Sequence, residues 1–355
     1  EGLYIIENGK IKPSKMLQDS FSSVLKGNKE FVLIDDQKVI FEEALRIGIN
    51  AHLHNEKSVL IVEGGPGTGK SVLAINLLKQ FLNRSLNSFY VTKNSAPREV
   101  FKAKLKIDKM SGLNNLFKGS GSFYDCEPNS FDVLIVDEAH RLNKKSGLFS
   151  NLGENQIKEI INSSKFSIFF IDENQRVTLK DNGSIDEIKK YARYYNAGIH
   201  KMELKSQFRC DGSDGYLAWL DNVLDIRETA NFDLDSKYDF KVFDDPNELR
   251  KAIEEKNKIN NKSRLVAGYC WNWISEGKNK SDVHDIVISK YNFEMSWNLG
   301  NSSTWAIDKE SINEIGCIHT CQGLEFDYVG VIIGDDLRYE NDHIVTDYTK
   351  RAKTD

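Results

Sequence analysis

A glycine-rich stretch between an apolar strand and a helix constrains this chain more than any other feature. The apolar run 59–62 leads into the sequence GGPGTGKS at 64–71, and a helical pattern follows. Glycines let backbone N–H groups close around phosphate oxygens, and the helix N-terminus adds partial positive charge. Lys70 would reach the β and γ oxygens, and the Ser71 hydroxyl would ligate Mg²⁺. The pattern predicts that ATP or GTP binds to Gly65, Pro66, Gly67, Thr68, Gly69, Lys70 and Ser71.

A second apolar strand ends in two adjacent carboxylates. The run 133–136 is followed directly by Asp137 and Glu138. Hydrolysis of a triphosphate needs one carboxylate to hold hydrated Mg²⁺ and another group to orient and deprotonate water. We assign the metal to Asp137 and the water to Glu138. An Asp-Glu pair also begins ordinary turns, but the preceding phosphate loop favours the catalytic interpretation.

Two further polar side chains follow later strands. Because parallel sheets bring strand ends to one edge, Gln175, after the run 167–171, is expected near the γ-phosphate or its attacking water. A polar turn without a ligand is the alternative. Arg209 fits an arginine that neutralises transition-state charge, although a surface salt bridge is the simpler explanation for one arginine. The predicted catalytic residues are Lys70, Glu138, Gln175 and Arg209.

Composition and spacing define the fold class and its limits. The chain has 355 residues, a net charge of −5 and scattered cysteines, and it shows no apolar run of membrane-span length. We expect reduced thiols, a cytoplasmic location and no membrane contact. Alternating strands and helices predict an α/β fold with parallel sheets. The predicted strands are 58–62, 88–92, 133–136, 167–171, 200–204, 264–269, 285–289, 314–319 and 328–333, and the predicted helices are 72–83, 97–105, 155–162 and 246–257.

Read in order with a polar cluster at 320–325, these motifs resemble those of superfamily 1 helicases. The chain looks more closely like the Schlafen-group-3-like DNA/RNA helicase domain family, through FVLIDDQ at 31–37, WAID at 305–308 and the segment 317–334. This resemblance implies two RecA-like domains with ATP and Mg²⁺ between them and a nucleic-acid strand across them. We expect a lead-in over 1–30, a first domain over 31–207 and an apparently incomplete second domain over 208–355.

The resemblance also implies roles for individual residues. Gln37 would read adenine, Gln175 would sense the γ-phosphate and Arg209 would act as an arginine finger. Thr92 and Asn94 would touch the nucleic-acid backbone. The residues that would couple the second domain to the nucleotide are Gln322, Gly323 and Glu325.

One expected motif has no counterpart in the sequence. Superfamily 1 enzymes carry a second arginine after their last strand, and nothing after Gly334 fits that pattern. The basic run at 350–353 lacks a preceding strand. The alternatives are a chain that is a piece of something longer, or weak hydrolysis of ATP by these residues alone.

Other nucleic-acid contacts are predicted from charge and aromatic content. Lys102 and Lys106 share one face of a predicted helix and would line a groove that tracks phosphates. A solvated helix face explains them about as well. Trp271, after the strand at 264–269, is the best candidate to stack on a base, whereas most large aromatic residues belong to cores.

Three functions compete at this point. The leading hypothesis is an ATP-driven motor on single-stranded DNA or RNA. The second is an ATP-dependent switch that controls an attached or partner nuclease, for example in anti-phage defence, without translocating. A metabolic kinase leaves the motifs at Gln175, Arg209 and Gln322 without a role. Oligomeric state is not predicted.

Overall fold

The structure is a computed structural model that describes residues 33, 35–107, 111–147, 151–176, 178, 180–205, 214–234, 238–274, 283–298 and 303–352. The chain divides into two compact units. The first holds the described residues up to Lys93 and from Lys104 to Asp214, and the second holds 94–103 and everything from Gly215 onward. None of the helices within the described ranges has the length and hydropathy needed to cross a bilayer.

The first unit is built on a six-stranded parallel sheet. The strand order is β3-β2-β4-β5-β1-β6, and every paired strand runs parallel to its neighbour. In chain order, the elements up to the end of this sheet are α1 (Asp35–His54), β1 (Ser58–Gly64), α2 (Lys70–Asn83), β2 (Ser88–Thr92), α3 (Ser95–Ile107), β3 (Phe117–Gly119), β4 (Phe131–Val136), α4 (Gln156–Ser163), β5 (Ser164–Ile171), α5 (Ile185–Tyr194) and β6 (Gly198–Leu204).

Helices cover both faces of this sheet, which explains why its central strands are apolar along their whole length. On one face, Phe169 and Ile171 of β5 pack in a cluster with Ile160 of α4 and Ile188 of α5. On the other face, Phe166 meets Phe81 of α2 with ring centroids 6.3 Å apart. A side chain at Gly48 of α1 would approach the Phe81 ring to 2.6 Å, so α1 packs closely there as well. The predicted α/β fold is therefore confirmed.

The second unit contains a smaller parallel sheet and two hairpins. The sheet has the order β10-β7-β11, while β8 pairs with β9 and β12 with β13 in antiparallel fashion. Its elements are α6 (Asp214–Val223), α7 (Pro246–Asn260), β7 (Ser263–Ala267), β8 (Ile286–Ile288), β9 (Phe293–Met295), β10 (Ile315–Gly316), α8 (Ile318–Cys321), β11 (Tyr328–Ile332), β12 (Leu337–Glu340) and β13 (His343–Thr346). A second RecA-like domain is thus only partly confirmed.

Several predicted elements were wrong or missing. The strand predicted over 314–319 is extended only at β10, because Cys317 begins a helical turn in which its N–H donates to the Thr320 hydroxyl (3.0 Å). The strand predicted over 285–289 forms a hairpin rather than joining the parallel sheet. Helices α1, α5 and α6 were not predicted, nor was the inclusion of 94–103 in the second unit.

An ionic network ties α1 to the base of the first sheet. Asp132 at the start of β4 accepts hydrogen bonds from His52 (2.8 Å), Lys165 (3.0 Å) and the Asn87 N–H (2.9 Å). These partners outweigh the effect of burial and lower the pKa of the Asp132 carboxyl. Asp132 therefore stabilises the fold while it is ionised.

We predict that Asp132→Asn lowers the free energy of unfolding by about 1–2 kcal/mol at neutral pH, since it weakens charge-assisted bonds that are partly open to solvent. The folded-state pKa lies below the unfolded one, so the difference should shrink as pH falls below about 3.9 and through the folded-state pKa. Urea titrations across pH measure this, with Asp125→Asn, at an exposed carboxylate, as the control. A pH-independent difference would contradict the assignment.

Candidate nucleotide-binding site

The glycine-rich loop joins β1 to α2 at the carboxyl edge of the first sheet. Gly67 and Gly69 have φ values of +77° and +82°, which glycine adopts without strain. Helix α2 begins at Lys70 with no side-chain cap, so its first N–H groups stay available for an anion. The Lys70 ammonium donates to the carbonyls of Gly64 (2.6 Å) and Gly65 (2.8 Å), which holds it over the loop.

Two oxygen side chains meet beside this loop in a geometry that suits Mg²⁺. The Ser71 hydroxyl donates to Oδ2 of Asp137 at 2.6 Å, although the two lie on different elements. Burial, and then the neighbouring charge of Glu138, raise the pKa of Asp137. A hydroxyl and a carboxylate are donors that Mg²⁺ favours, and a divalent cation would offset the burial of this charge. Across the described ranges no three His, Cys, Asp or Glu side chains gather around a metal, so phosphate and water would complete the coordination.

Glu138 is held in an unusual conformation by its neighbours. Its φ of +54° places a non-glycine residue in the left-handed region, which is uncommon for a glutamate. Its Oε2 lies 3.1 Å from Nε2 of the fully buried His140. Nδ1 of His140 accepts the Asp172 N–H (3.3 Å), so a neutral His140 carries its proton on Nε2, facing Glu138.

Gln175 reaches this group through Asp172. Its amide Nε2 donates to Oδ2 of Asp172 at 2.7 Å, in the short helical turn that follows β5. Strand β5 lies between β4, which carries Asp137 and Glu138, and β1, which carries the phosphate loop. Gln175, Asp172, His140 and Glu138 therefore form one connected chain of contacts.

Gln37 lies in α1 and contacts the phosphate loop itself. Its amide Nε2 donates to the carbonyl of Thr68 at 3.0 Å, and the residue is buried. The preceding Asp36 accepts the Gln37 N–H (2.9 Å) and the Lys205 N–H (2.6 Å), which anchors the start of the helix. Gln37 is thus placed beside the loop, while its reading of adenine stays a prediction.

Three other predicted site residues belong to the second unit, and one lies outside the described residues. Gln322, Gly323 and Glu325 belong to the second unit, where the side-chain amide of Asn94 donates to Oε1 of Gln322 at 3.4 Å. Gly323 has a φ of +82°, which glycine adopts without strain. Arg209 lies outside the described residues.

The predicted nucleic-acid contacts differ in accessibility. Thr92 and Asn94 are only 1% and 6% exposed, and their contact with the nucleic-acid backbone stays a prediction. Lys102 donates to Glu99 at 3.0 Å on the surface of α3, and the side chain of Lys106 lies outside the described residues. Trp271 is partly buried against the core of the second unit, which favours packing for part of its ring.

A buried charge cluster behind Glu138 was not predicted from the sequence. Asp181 lies 3.0 Å from Nε of Arg141 and 2.9 Å from Nζ of Lys93, and its side chain is fully buried. Lys93 also donates to Asn143 (2.9 Å). The cluster links the end of β2 to the segment after Glu138. Its members are far apart in sequence and match no motif spacing, so only the fold reveals them.

We predict that Asp181→Asn destabilises the chain by about 3–5 kcal/mol, because it removes the charge of a buried carboxylate that contacts both Arg141 and Lys93. Lys93→Met should lower the free energy of unfolding much less, since the opposite charges of Arg141 and Asp181 still compensate each other. Thermal or chemical unfolding of both variants measures the difference. Equal losses would show that the cluster does not depend on Asp181 as its common partner.

The fold and this site define a nucleotide-binding domain with a phosphate loop. The chain matches the family described as Schlafen group 3, DNA/RNA helicase domain, over residues 57–355. It belongs to that family, as the sequence motifs indicated, and it carries a helicase-like NTPase domain.

The individual relatives share low sequence identity with this chain. The uncharacterized protein YPL245W of Saccharomyces cerevisiae is 26% identical over an alignment of 322 residues, which covers 80% of this chain and 69% of the relative. Among solved structures, Pif1 helicase from Candida albicans is 14% identical with a TM-score of 0.34, over 64% of this chain and 55% of that one. AMPPCP-bound DnaA from Aquifex aeolicus is 14% identical with a TM-score of 0.27, over 51% and 50%. This chain spans about half the length of these two structures.

Proposed function

We propose that this chain binds and hydrolyses Mg·ATP and uses the reaction to act on single-stranded DNA or RNA. The observation that carries the proposal is the network of Lys70, Ser71, Asp137 and Glu138 at one edge of the first sheet. Membership of a DNA/RNA helicase domain family supports nucleic acid as the polymer.

Each side chain has a defined task in this mechanism. Lys70 exchanges its bonds to the loop carbonyls for the β and γ oxygens, and Ser71 and Asp137 hold Mg²⁺. The metal supplies charge neutralisation at the phosphates. Glu138 accepts the proton of the attacking water, and Nε2 of the buried His140 lies 3.1 Å from Oε2 of its carboxylate. The left-handed backbone of Glu138 turns the chain away from the direction of β4 directly after Asp137.

The remaining residues would connect hydrolysis to nucleic acid. Gln175 senses the γ-phosphate and passes the signal to Glu138 through Asp172 and His140. Gln37 reads adenine, and Arg209 stabilises the transition state. Gln322, Gly323 and Glu325 couple the second unit to the nucleotide, and Lys102, Lys106 and Trp271 contact the strand.

Two substitutions should separate binding from chemistry. Lys70→Ala removes charged hydrogen bonds to the phosphates and should weaken ATP binding at least about tenfold. Glu138→Gln should leave binding within about twofold and lower kcat by about 100-fold or more, because proton acceptance is lost. Equilibrium binding of a fluorescent ATP analogue and steady-state phosphate release measure the two effects. Full turnover by Glu138→Gln would rule out this residue as the base.

A switch without translocation is the second candidate, and the burial of Thr92 and Asn94 favours it. In that case ATP binding controls an attached or partner nuclease, and neither side chain needs to contact nucleic acid.

The motor predicts ATPase activity that rises several-fold with single-stranded DNA or RNA and is lost in Glu138→Gln. The switch predicts ATP binding with slow turnover that nucleic acid does not change. Steady-state ATPase assays with each polymer, in wild type and Glu138→Gln, distinguish them. Slow turnover that nucleic acid does not change, together with no strand displacement or translocation in parallel assays, would favour the switch over the motor.

A further inference from the structure

A tyrosine that no motif predicts touches the centre of the site. Tyr90 of β2 is 1% exposed, and its hydroxyl donates to Oδ2 of Asp137 at 2.5 Å. The same oxygen accepts the Ser71 hydroxyl at 2.6 Å. The other carboxylate oxygen, Oδ1, accepts the Glu138 N–H at 3.0 Å. Both oxygens of Asp137 are therefore directed by named donors.

The position of the Tyr90 hydroxyl is fixed by the sheet and by packing. Tyr90 pairs with Ile135 in the parallel ladder between β2 and β4, and the Asp137 N–H donates to the Val91 carbonyl at 2.8 Å. The Tyr90 ring packs against Phe117 of β3 with centroids 5.7 Å apart. The hydroxyl therefore lies at the end of a rigid, buried side chain, whereas Ser71 lies in the first turn of α2, directly after the phosphate loop.

The hydroxyls of Ser71 and Tyr90 would have different roles in binding a metal ion. Ser71 would itself become a ligand of Mg²⁺. Its hydroxyl would then no longer be free to hold the orientation of the Asp137 carboxylate. Tyr90 lies on a strand rather than on the phosphate loop. Outer contacts of this kind orient metal ligands, and their loss commonly costs 10–100-fold in metal affinity.

We propose that Tyr90 is a positioning residue for the Mg²⁺ held by Ser71 and Asp137. It sets the orientation of the Asp137 carboxylate, so that the ion binds together with nucleotide at one defined place. This inference rests on the proposed binding of Mg·ATP. A buried tyrosine that merely finds an acceptor for its hydroxyl would contribute to folding and leave metal binding unchanged.

Tyr90→Phe removes only the hydroxyl and tests this role. The probe is a fluorescent, non-hydrolysable ATP analogue, titrated first in EDTA and then with Mg²⁺. We expect the dissociation constant in EDTA to stay within about twofold of wild type, which also reports that the variant is folded. The Mg²⁺ concentration that gives half of the gain in binding should rise about tenfold.

Two further variants complete the experiment. Tyr195→Phe, at a tyrosine packed beside the core formed by α4 and α5, should leave both values unchanged. In an Asp137→Asn background, Tyr90→Phe should have no additional effect on the Mg²⁺ midpoint, since the oxygen it orients no longer carries the charge.

The outcomes separate this inference from the proposed function. An unchanged Mg²⁺ midpoint in Tyr90→Phe, or an equal loss of binding with and without Mg²⁺, would overturn the role of Tyr90 while the wild-type Mg²⁺ dependence upholds the metal site. Wild-type binding that does not respond to Mg²⁺ would overturn both.

Discussion

The site depends on the common direction of the strands in the first sheet. Because β1, β4 and β5 run parallel and adjacent, their carboxyl ends deliver the phosphate loop, the Asp137–Glu138 pair and Asp172 to one edge. No single loop could gather these groups, since they are widely separated in sequence. The apolar strands that build this edge are buried on both faces, so the sheet is rigid where the chemistry requires fixed positions.

Burial of charge is the main physical cost of this arrangement. Asp137 lies in the interior beside Glu138, and the pKa of its carboxyl is raised as a result. The hydroxyls of Ser71 and Tyr90 and the Glu138 N–H offset part of that cost, and a divalent cation would offset more. Glu138 has a φ of +54°, a backbone conformation that costs free energy in a non-glycine residue, and the proposed function would give a reason for that cost.

Sequence predicted the groups whose spacing is local, and it missed those whose partners are distant. Ser71 and Asp137 were predicted because each belongs to a short motif that begins at the end of an apolar strand and has a chemical reason. Tyr90 sits inside an ordinary strand, and only the pairing of β2 with β4 brings it to Asp137. Helix α1 could have been predicted from the sequence. Its buried residues Ile40, Ala44, Ile47 and Ala51 recur with helical spacing. The strand predicted over 314–319 was wrong because apolar content there outweighed the capping signal of Thr320.

The most direct test of this account is a crystal structure of the Glu138→Gln variant with Mg·ATP. The account predicts Lys70 at the β and γ oxygens, Mg²⁺ bound by the Ser71 hydroxyl with Asp137 beside it, and the residue at 138 facing a water in line with the γ-phosphate. A nucleotide bound away from the phosphate loop, or a metal ion that contacts neither Ser71 nor Asp137, would contradict it.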